Sequence, residues 1–216
     1  MACITLSFDN GPDPEATPLV LDVLRRCGLR ASFFVLGEKL RDRERRAVCE
    51  RAHDEGHWIG NHTFNHLVPL GLSPDPDIAQ REIGRTQALL GSLSDRRRLF
   101  RPFGGGGLLD KHLLNRSCLD FLIEGEYTCV LWNVVPKDWE DPDRWVERAI
   151  EQCFATDRAL VVLHDLATGA MDRLETFIEM ARENGATFKQ DFPPECVPLL
   201  RGRVVAAIDG YVAEPG

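Results

Sequence analysis

The stretch "CITLSFDNGP" (residues 3–12) sets the pattern of the whole chain, because an apolar β-type run ends there in ionisable and turn-forming residues. A helix is predicted directly after it across "EATPLVLDVLRRC" (15–27), and Gly28 ends that helix. A second apolar run, "ASFFVL" (31–36), follows. A strand, a helix and a further strand in this order predict parallel strands joined by a right-handed crossover.

The same alternation continues along the chain. Further strands are predicted at 57–62, 99–103, 128–134, 159–164 and 186–189, and further helices at 38–56, 77–92, 108–122, 142–155 and 171–184. About seven such units favour an α/β fold, an irregular (β/α) barrel with about seven parallel strands, and a doubly wound sheet is the alternative. With 216 residues, of which 44% are hydrophobic, we expect a single domain over 1–216. The segment 192–216 breaks the rhythm and is predicted to be a peripheral tail with an edge strand at "GRVVAAID".

Composition excludes several classes of function. The net charge of −8 argues against binding to nucleic acid or to an anionic membrane surface. No run approaches the roughly 18 apolar residues of a membrane span. The seven cysteines are odd in number and contain no C-x-x-C pair, so they are predicted to be buried thiols of a reducing compartment. Because "MACITLSF" is not a secretory signal, the sequence predicts a cytoplasmic protein, unless a leader has been removed.

Each apolar run ends in a cluster of polar or glycine residues. The five clusters are "SFDNGP" (7–12), "NHTFNH" (61–66), "FRPFGGGG" (100–107), "NVVPKDW" (133–139) and "VVLHD" (161–165). The carboxyl ends of parallel barrel strands converge at one mouth, where residues distant in sequence form an active site. We therefore expect these clusters to meet.

Two histidines in the second cluster have the spacing of metal ligands. His62 and His66 lie four positions apart, which brings two imidazoles to one side of a turn or a compact loop. A third ligand of oxygen type, offered by "DN" at 9 and 10, would complete a set with open positions for water and substrate. The spacing alone also fits histidines that are merely exposed or hydrogen-bonded in the core, so metal binding stays open at this point.

The remaining clusters offer groups for proton transfer and for anchoring a carboxylate. His164 ends a strongly apolar run, where it can act as an acid or a base or simply cap the sheet. Asp138 could orient His164 and raise its pKa, with Trp139 as an apolar wall. Arg101 could fix a carboxylate by a two-point contact or lie at the surface.

Taken in order, the five clusters resemble the motifs of the polysaccharide deacetylase family, also called carbohydrate esterase family four or the NodB homology domain. The resemblance spans roughly residues 3 to 190. "SFDNGP" and "HTFNH" closely match the family motifs T-F-D-D-G-P and H-[ST]-x-x-H, whereas "RPFGG", "DW" and "VVLHD" match the other three motifs more loosely. The chain departs from the family at Asn10 (an Asp in the motif), Phe103 (Pro), Gly104 (Tyr) and Val135 (Asp).

The resemblance implies a fold, a reaction and a role for each residue. It implies an irregular (β/α) barrel that removes the N-acetyl group from N-acetylglucosamine-type sugars by metal-assisted hydrolysis, with zinc as the metal and cobalt or nickel as alternatives. The implied roles are Asp9 as general base, His164 as general acid, Arg101 as the partner of Asp9, Asp138 as the partner of His164, His62, His66 and the residue at Asn10 as metal ligands, the main chain at Phe103 and Gly104 as oxyanion donors, and Trp139 as a wall for the substrate.

Asn10 weakens the implied metal site, because an amide oxygen can coordinate a metal but carries no charge. Three outcomes follow, in order of preference: a weaker but working site, a site that uses another oxygen ligand, or a catalytically impaired domain that binds sugar. Hydrolysis of other C–N bonds is a further alternative. The short chain resembles the nodulation-type chitooligosaccharide deacetylases, so a soluble oligosaccharide or sugar conjugate is the expected substrate.

Overall fold

The computed structural model describes residues 2–214. Its strands are β1 (Cys3–Asp9), β2 (Ser32–Val35), β3 (Trp58–Asn61), β4 (Leu99–Phe100), β5 (Thr128–Cys129), β6 (Arg158–His164), β7 (Thr187–Phe188), β8 (Leu199–Leu200) and β9 (Arg203–Val204). Its α-helices are α1 (Ala16–Cys27), α2 (Arg43–Asp54), α3 (Arg85–Leu90), α4 (Arg116–Glu124), α5 (Trp145–Phe154) and α6 (Leu174–Glu183). A π-helical turn, Ala79–Gly84, runs directly into α3.

Seven parallel strands form the body of one sheet. The order is β6-β1-β2-β3-β4-β5, and β7 pairs with the start of β1, where β2 does not reach. After β5 the chain comes back to β6, because Val134 forms a parallel bridge with Val161. The sheet therefore curls round towards closure. The predicted irregular (β/α) barrel with about seven parallel strands is confirmed.

The central strand β1 is buried on both of its faces. Ile4 and Phe8 are fully buried, and so is Ser7 on the opposite face. Burial of both faces is typical of parallel sheets covered by helices, and it explains why the strand reads as a nearly continuous apolar run. At the carboxyl end of β1 the ring of Phe8 stacks on Phe33 of β2 at 5.0 Å. This rigid pair of strands carries the first polar cluster.

Several elements are shorter than predicted, for local reasons. The helix predicted from 108 begins at Arg116, because the side chain of Asn115 accepts a hydrogen bond from the N–H of Cys118 and caps the helix there. The helix predicted from 38 is a 3₁₀ turn before α2, whose cap is Asp42. The strand predicted at 128–134 is regular only at β5.

The segment from Phe192 is less peripheral than the sequence predicted. Cys196, Leu199 and Ile208 are buried, and the carbonyl of Cys196 accepts a 2.7 Å hydrogen bond from the N–H of Leu131. Strands β8 and β9 add an antiparallel hairpin to β5. All seven cysteines are free thiols, and five of them are buried. Within residues 2–214, no helix combines the length and the apolar character that crossing a bilayer requires.

Candidate active site

The five polar clusters meet in one pocket at the carboxyl ends of the parallel strands. The pocket has a volume of about 280 Å³. Eight of the ten predicted site residues line it: Asp9, Asn10, His62, His66, Phe103, Gly104, Trp139 and His164. The other two, Arg101 and Asp138, are fully buried behind this lining and hydrogen-bond to residues in it.

Asp9 is held by a buried arginine. The Nη1 of Arg101 donates a 2.7 Å hydrogen bond to Asp9 Oδ1 and a second one to the hydroxyl of Ser7. The remaining guanidinium nitrogens donate to the carbonyls of Val130 and Leu131, so the arginine is fixed on several sides. Burial raises the pKa of the Asp9 carboxyl, but the charges of Arg101 and its neighbours outweigh it, and the pKa lies below its usual value. Asp9 is therefore ionised at neutral pH.

The surroundings of His164 favour its protonated form, in contrast to those of Asp9. Its Nδ1 lies 2.9 Å from Asp138 Oδ1, and its backbone N–H donates to Asp138 Oδ2 at 2.9 Å. Burial lowers the pKa of the imidazole, but the hydrogen bond and charge of Asp138 outweigh it, so the pKa is raised. The rings of Trp139 and His164 pack edge to face, with their centres 4.6 Å apart. With Nδ1 engaged by the carboxylate, Nε2 is the nitrogen left for the pocket.

The second cluster forms a compact loop that places two neutral imidazoles side by side. The ring centres of His62 and His66 are 5.0 Å apart. Nδ1 of His62 donates to the carbonyl of Arg101 at 2.9 Å, which leaves the lone pair on Nε2, 3.7 Å from Asp9 Oδ2. Burial lowers the pKa of both rings, for His66 to about 3. Both imidazoles therefore keep a free lone pair at neutral pH.

The side chain of Asn10 contributes a buried oxygen without a partner. Its Oδ1 has no hydrogen-bond partner in the protein, and the residue lines the same pocket as the two imidazoles. An unpartnered buried carbonyl oxygen next to two neutral imidazoles fits a divalent metal ion with mixed N and O ligands. In the described part of the chain, no three or more His, Cys, Asp and Glu side chains are grouped so that they could hold a metal ion.

The glycine-rich cluster forms one wall of the pocket. The ring of Phe103 packs on His66 at 3.7 Å. Gly104 lies so close to Trp132 that a Cβ would come within 2.2 Å of the indole, and the indole N–H donates to the carbonyl of Gly107. A tyrosine at position 104, as in the family motif, would therefore require this wall to rearrange.

Three residues near the site were missed in the sequence. Trp132 lines the pocket, Asp165 is fully buried directly after His164, and Glu82 contacts the backbone of the histidine loop. Asp165 belongs to the "VVLHD" cluster, so its position signalled a location near the site but gave no role. Nothing in the spacing of Glu82 pointed to the loop, because its contact spans 18 residues.

Comparison with known proteins finds sugar deacetylases similar to this chain. The family model for polysaccharide deacetylases matches residues 2–117. A peptidoglycan-N-acetylglucosamine deacetylase of Bacillus cereus is 32% identical over 183 residues, covering 83% of this chain and 78% of that protein. A chitooligosaccharide deacetylase of Rhizobium leguminosarum bv. trifolii is 32% identical and covers 75% of this chain and 71% of that protein. In contrast, the chain spans only 36% of the N-acetylmuramic acid deacetylase PdaC of Bacillus subtilis.

A solved structure agrees with the family model. The Bc1960 peptidoglycan N-acetylglucosamine deacetylase has a TM-score of 0.72 and 26% identity, covering 93% of this chain and 90% of its own. The fold and the arrangement of the five clusters define a sugar deacetylase type of hydrolase. The chain belongs to the polysaccharide deacetylase family. The resemblance drawn from the motifs, and the prediction of a deacetylase-type hydrolase, are thereby confirmed.

Proposed function

We propose that this protein is a metal-dependent deacetylase that hydrolyses the N-acetyl amide of N-acetylglucosamine-type oligosaccharides or sugar conjugates. The observation that carries the proposal is the pair of oppositely tuned groups in one pocket. Asp9 has a lowered pKa beside Arg101, and His164 has a raised pKa beside Asp138. An ionised carboxylate and a protonated imidazole are the two states that hydrolysis of an amide needs at the same time.

His62, His66 and the amide oxygen of Asn10 would hold the metal, which we propose to be zinc, with cobalt or nickel as alternatives. When bound, a divalent ion supplies a Lewis acid that polarises the amide carbonyl and acidifies water. The orientation of His62 supports this role. The Nδ1 of His62 is already bound to a carbonyl, which fixes the tautomer with its lone pair on Nε2.

Asp9 and His164 would move the protons of the reaction. Asp9 Oδ2, which is free of Arg101, accepts a proton from the attacking water as the new C–O bond forms at the amide carbon. Nε2 of His164 then donates a proton to the amide nitrogen as the C–N bond breaks, so that a free amine and acetate leave. Until that proton is transferred, Arg101 keeps Asp9 ionised, because its guanidinium is fixed beside the carboxylate by two main-chain carbonyls.

The walls of the pocket would orient the sugar. We propose that main-chain N–H groups at Phe103 and Gly104 stabilise the developing oxyanion, a role that does not depend on the side chains at these positions. Trp139 and Trp132 offer aromatic surfaces beside His164 and the glycine loop. The names of the bacterial relatives, chitooligosaccharide and peptidoglycan deacetylases, support an N-acetylated sugar as the substrate. We propose that the substrate is a soluble oligosaccharide and that the protein acts in the cytoplasm.

A second candidate function is sugar binding without catalysis. The neutral ligand at Asn10 favours it, because two imidazoles and an amide hold a divalent ion without any charge compensation in the ligand set. The two candidates differ in metal content and in acetate release, so one set of measurements separates them.

Asn10→Asp is expected to tighten the binding of Co²⁺ by at least roughly ten-fold. Mutation of a residue that only hydrogen-bonds to a metal ligand already changes metal affinity by about 10–100-fold, and Asn10 is proposed as a ligand itself. The backbone allows this change, because φ at position 10 is 70° and Asn and Asp both tolerate the left-handed region. Co²⁺ affinity is measured by calorimetric titration, and acetate release is measured on chitooligosaccharides and on acetylated peptidoglycan fragments.

The matched control is Asn184→Asp, which makes the same change at an exposed helix end. Peptide mass mapping must show that neither Asn10 nor Asn184, both of which are followed by glycine, has already deamidated in the wild type. Acetate release by the Co²⁺-loaded wild type supports the deacetylase. Release by Asn10→Asp alone supports the sugar-binding domain, and release by neither protein contradicts the assignment of the metal site.

A further inference from the structure

The loop that carries His62 and His66 is conformationally demanding. Thr63 and His66 both have left-handed backbones, with φ of 71° and 56°. Such values are rare for residues other than glycine, and rarest for β-branched ones such as threonine. They persist only where the surrounding structure fixes them. The contacts that fix this loop therefore decide where the two imidazoles point.

The side chain of Glu82 supplies the central contact. Its Oε2 accepts hydrogen bonds from two successive backbone N–H groups, those of Phe64 at 2.8 Å and Asn65 at 3.1 Å. Together with Thr63, these two residues form the segment between the two histidines in sequence. Glu82 itself is only 7% exposed, so water competes little for these hydrogen bonds.

A second contact comes from the same short segment. The Nδ2 of Asn61 donates to the carbonyl of Ile83 at 2.9 Å, while its Oδ1 accepts from the N–H of Thr63 at 3.0 Å. Glu82 and Ile83 both belong to the π-helical turn Ala79–Gly84. Turns of this kind are rare and are frequently found at functional sites. Here the turn presents a carboxylate and a carbonyl to one loop.

We propose that Glu82 is a positioning residue for the His62–His66 pair. Its carboxylate holds the backbone between the two histidines so that both imidazoles face the same point of the pocket. This inference rests on the proposed function, because the pair has a task only if it binds a metal. Glu82 is not among the residues that line the pocket, so it acts through the loop.

The test compares three substitutions in the full chain by titration with Co²⁺, followed through its visible absorption spectrum. Glu82→Ala removes the acceptor and is expected to weaken Co²⁺ binding by about 10–100-fold, as is typical for partners behind metal ligands. Glu82→Gln keeps an acceptor oxygen on a side chain of the same length and is expected to retain most of the Co²⁺ affinity. Glu82→Asp keeps the charge but withdraws the oxygen by one methylene, so it is expected to bind more weakly than Glu82→Gln.

Two comparisons make the result decisive. Ile178→Ala removes a fully buried side chain from α6 and serves as the control for general loss of stability, with Co²⁺ affinity expected to stay at the wild-type value. Co²⁺ binding that is unchanged in Glu82→Ala and Glu82→Asp, or weakened as much in Ile178→Ala, would overturn the inference alone. Failure of the wild type to bind Co²⁺ would overturn the proposed metal site and this inference together.

Discussion

Replacing His164 by alanine is expected to lower kcat for deacetylation by about 10²–10⁴-fold, the usual contribution of a positioned general acid. The pKa of the imidazole is raised, and Asp138 holds its ring in place through Nδ1. Co²⁺ affinity is expected to change little, because His164 is not one of the proposed ligands. The measurements are steady-state acetate release and Co²⁺ titration on the same preparations. A wild-type kcat in folded His164→Ala would contradict the assignment.

Asp138→Asn extends this prediction to the pH profile. The charge of Asp138 raises the pKa of His164, and without it burial lowers that pKa. The acid form would then be lost at a lower pH, so the alkaline limb of the kcat profile is expected to move towards acid. Asp209→Asn, at an exposed position, is the matched control and should leave the profile in place. An unshifted alkaline limb in Asp138→Asn would show that His164 is not the group that titrates.

The location of the site could be predicted because the fold itself gathers it. Once the alternation of strands and helices indicated parallel strands, the ends of those strands had to share one mouth. Asp9 and His164 illustrate this, since they end β1 and β6 and are direct register partners, although 155 positions separate them in the sequence. Their proposed roles come from residue type and from the resemblance to the family. Periodicity alone left them open.

The supporting contacts could not be predicted from the sequence. The hydrogen bond between Arg101 and Ser7 joins residues 94 positions apart. The hydrogen bond from the backbone of Phe64 is accepted by Glu82, a residue type that is common in helices and gives no sign of such a contact. Apolar periodicity reports which face of an element is buried, but it does not report which backbone group a polar side chain meets. Short strands such as β4 and β5 were overestimated for a related reason, because buried loops are as apolar as strands.

Asn10 shows how a single departure can be read in structural terms. The residue has a left-handed backbone, lines the pocket, and has a buried Oδ1 without a hydrogen-bond partner. Relative to the aspartate of the family motif, asparagine has an oxygen at the same position but no charge, so it would weaken the proposed metal site without removing an oxygen ligand.

Asp165→Asn is expected to make the free energy of unfolding less sensitive to pH. Asp165 is fully buried, and burial raises the pKa of its carboxyl to about 7, although the hydroxyl of Thr17 donates to Oδ2 and Lys39 is nearby. Oδ1 has no partner, and the carboxyl lies against Gly11. The carboxyl is therefore a poorly compensated charge whenever it ionises inside the protein.

The direction of the effect follows from proton linkage. The folded protein binds this proton with a pKa of about 7, whereas the usual value is 3.8, so the contribution to stability is complete below the lower value. That contribution is lost as the pH rises through the higher value. At 1.36 kcal/mol for each pKa unit, the loss approaches roughly 4 kcal/mol. Asparagine cannot ionise, and its carbonyl can still accept the hydrogen bond of Thr17.

The measurement is urea unfolding of both proteins between about pH 4 and about pH 8, the range over which the linked proton is released. The free energy of unfolding of Asp165→Asn, relative to the wild type, is expected to rise with pH by up to about 4 kcal/mol. All other titrating groups contribute equally to both proteins, so the pH dependence of the difference in unfolding free energy reports on Asp165. Parallel stability curves would show that the buried carboxyl has found a compensating partner, and the exposed Asp209→Asn provides the reference for such curves.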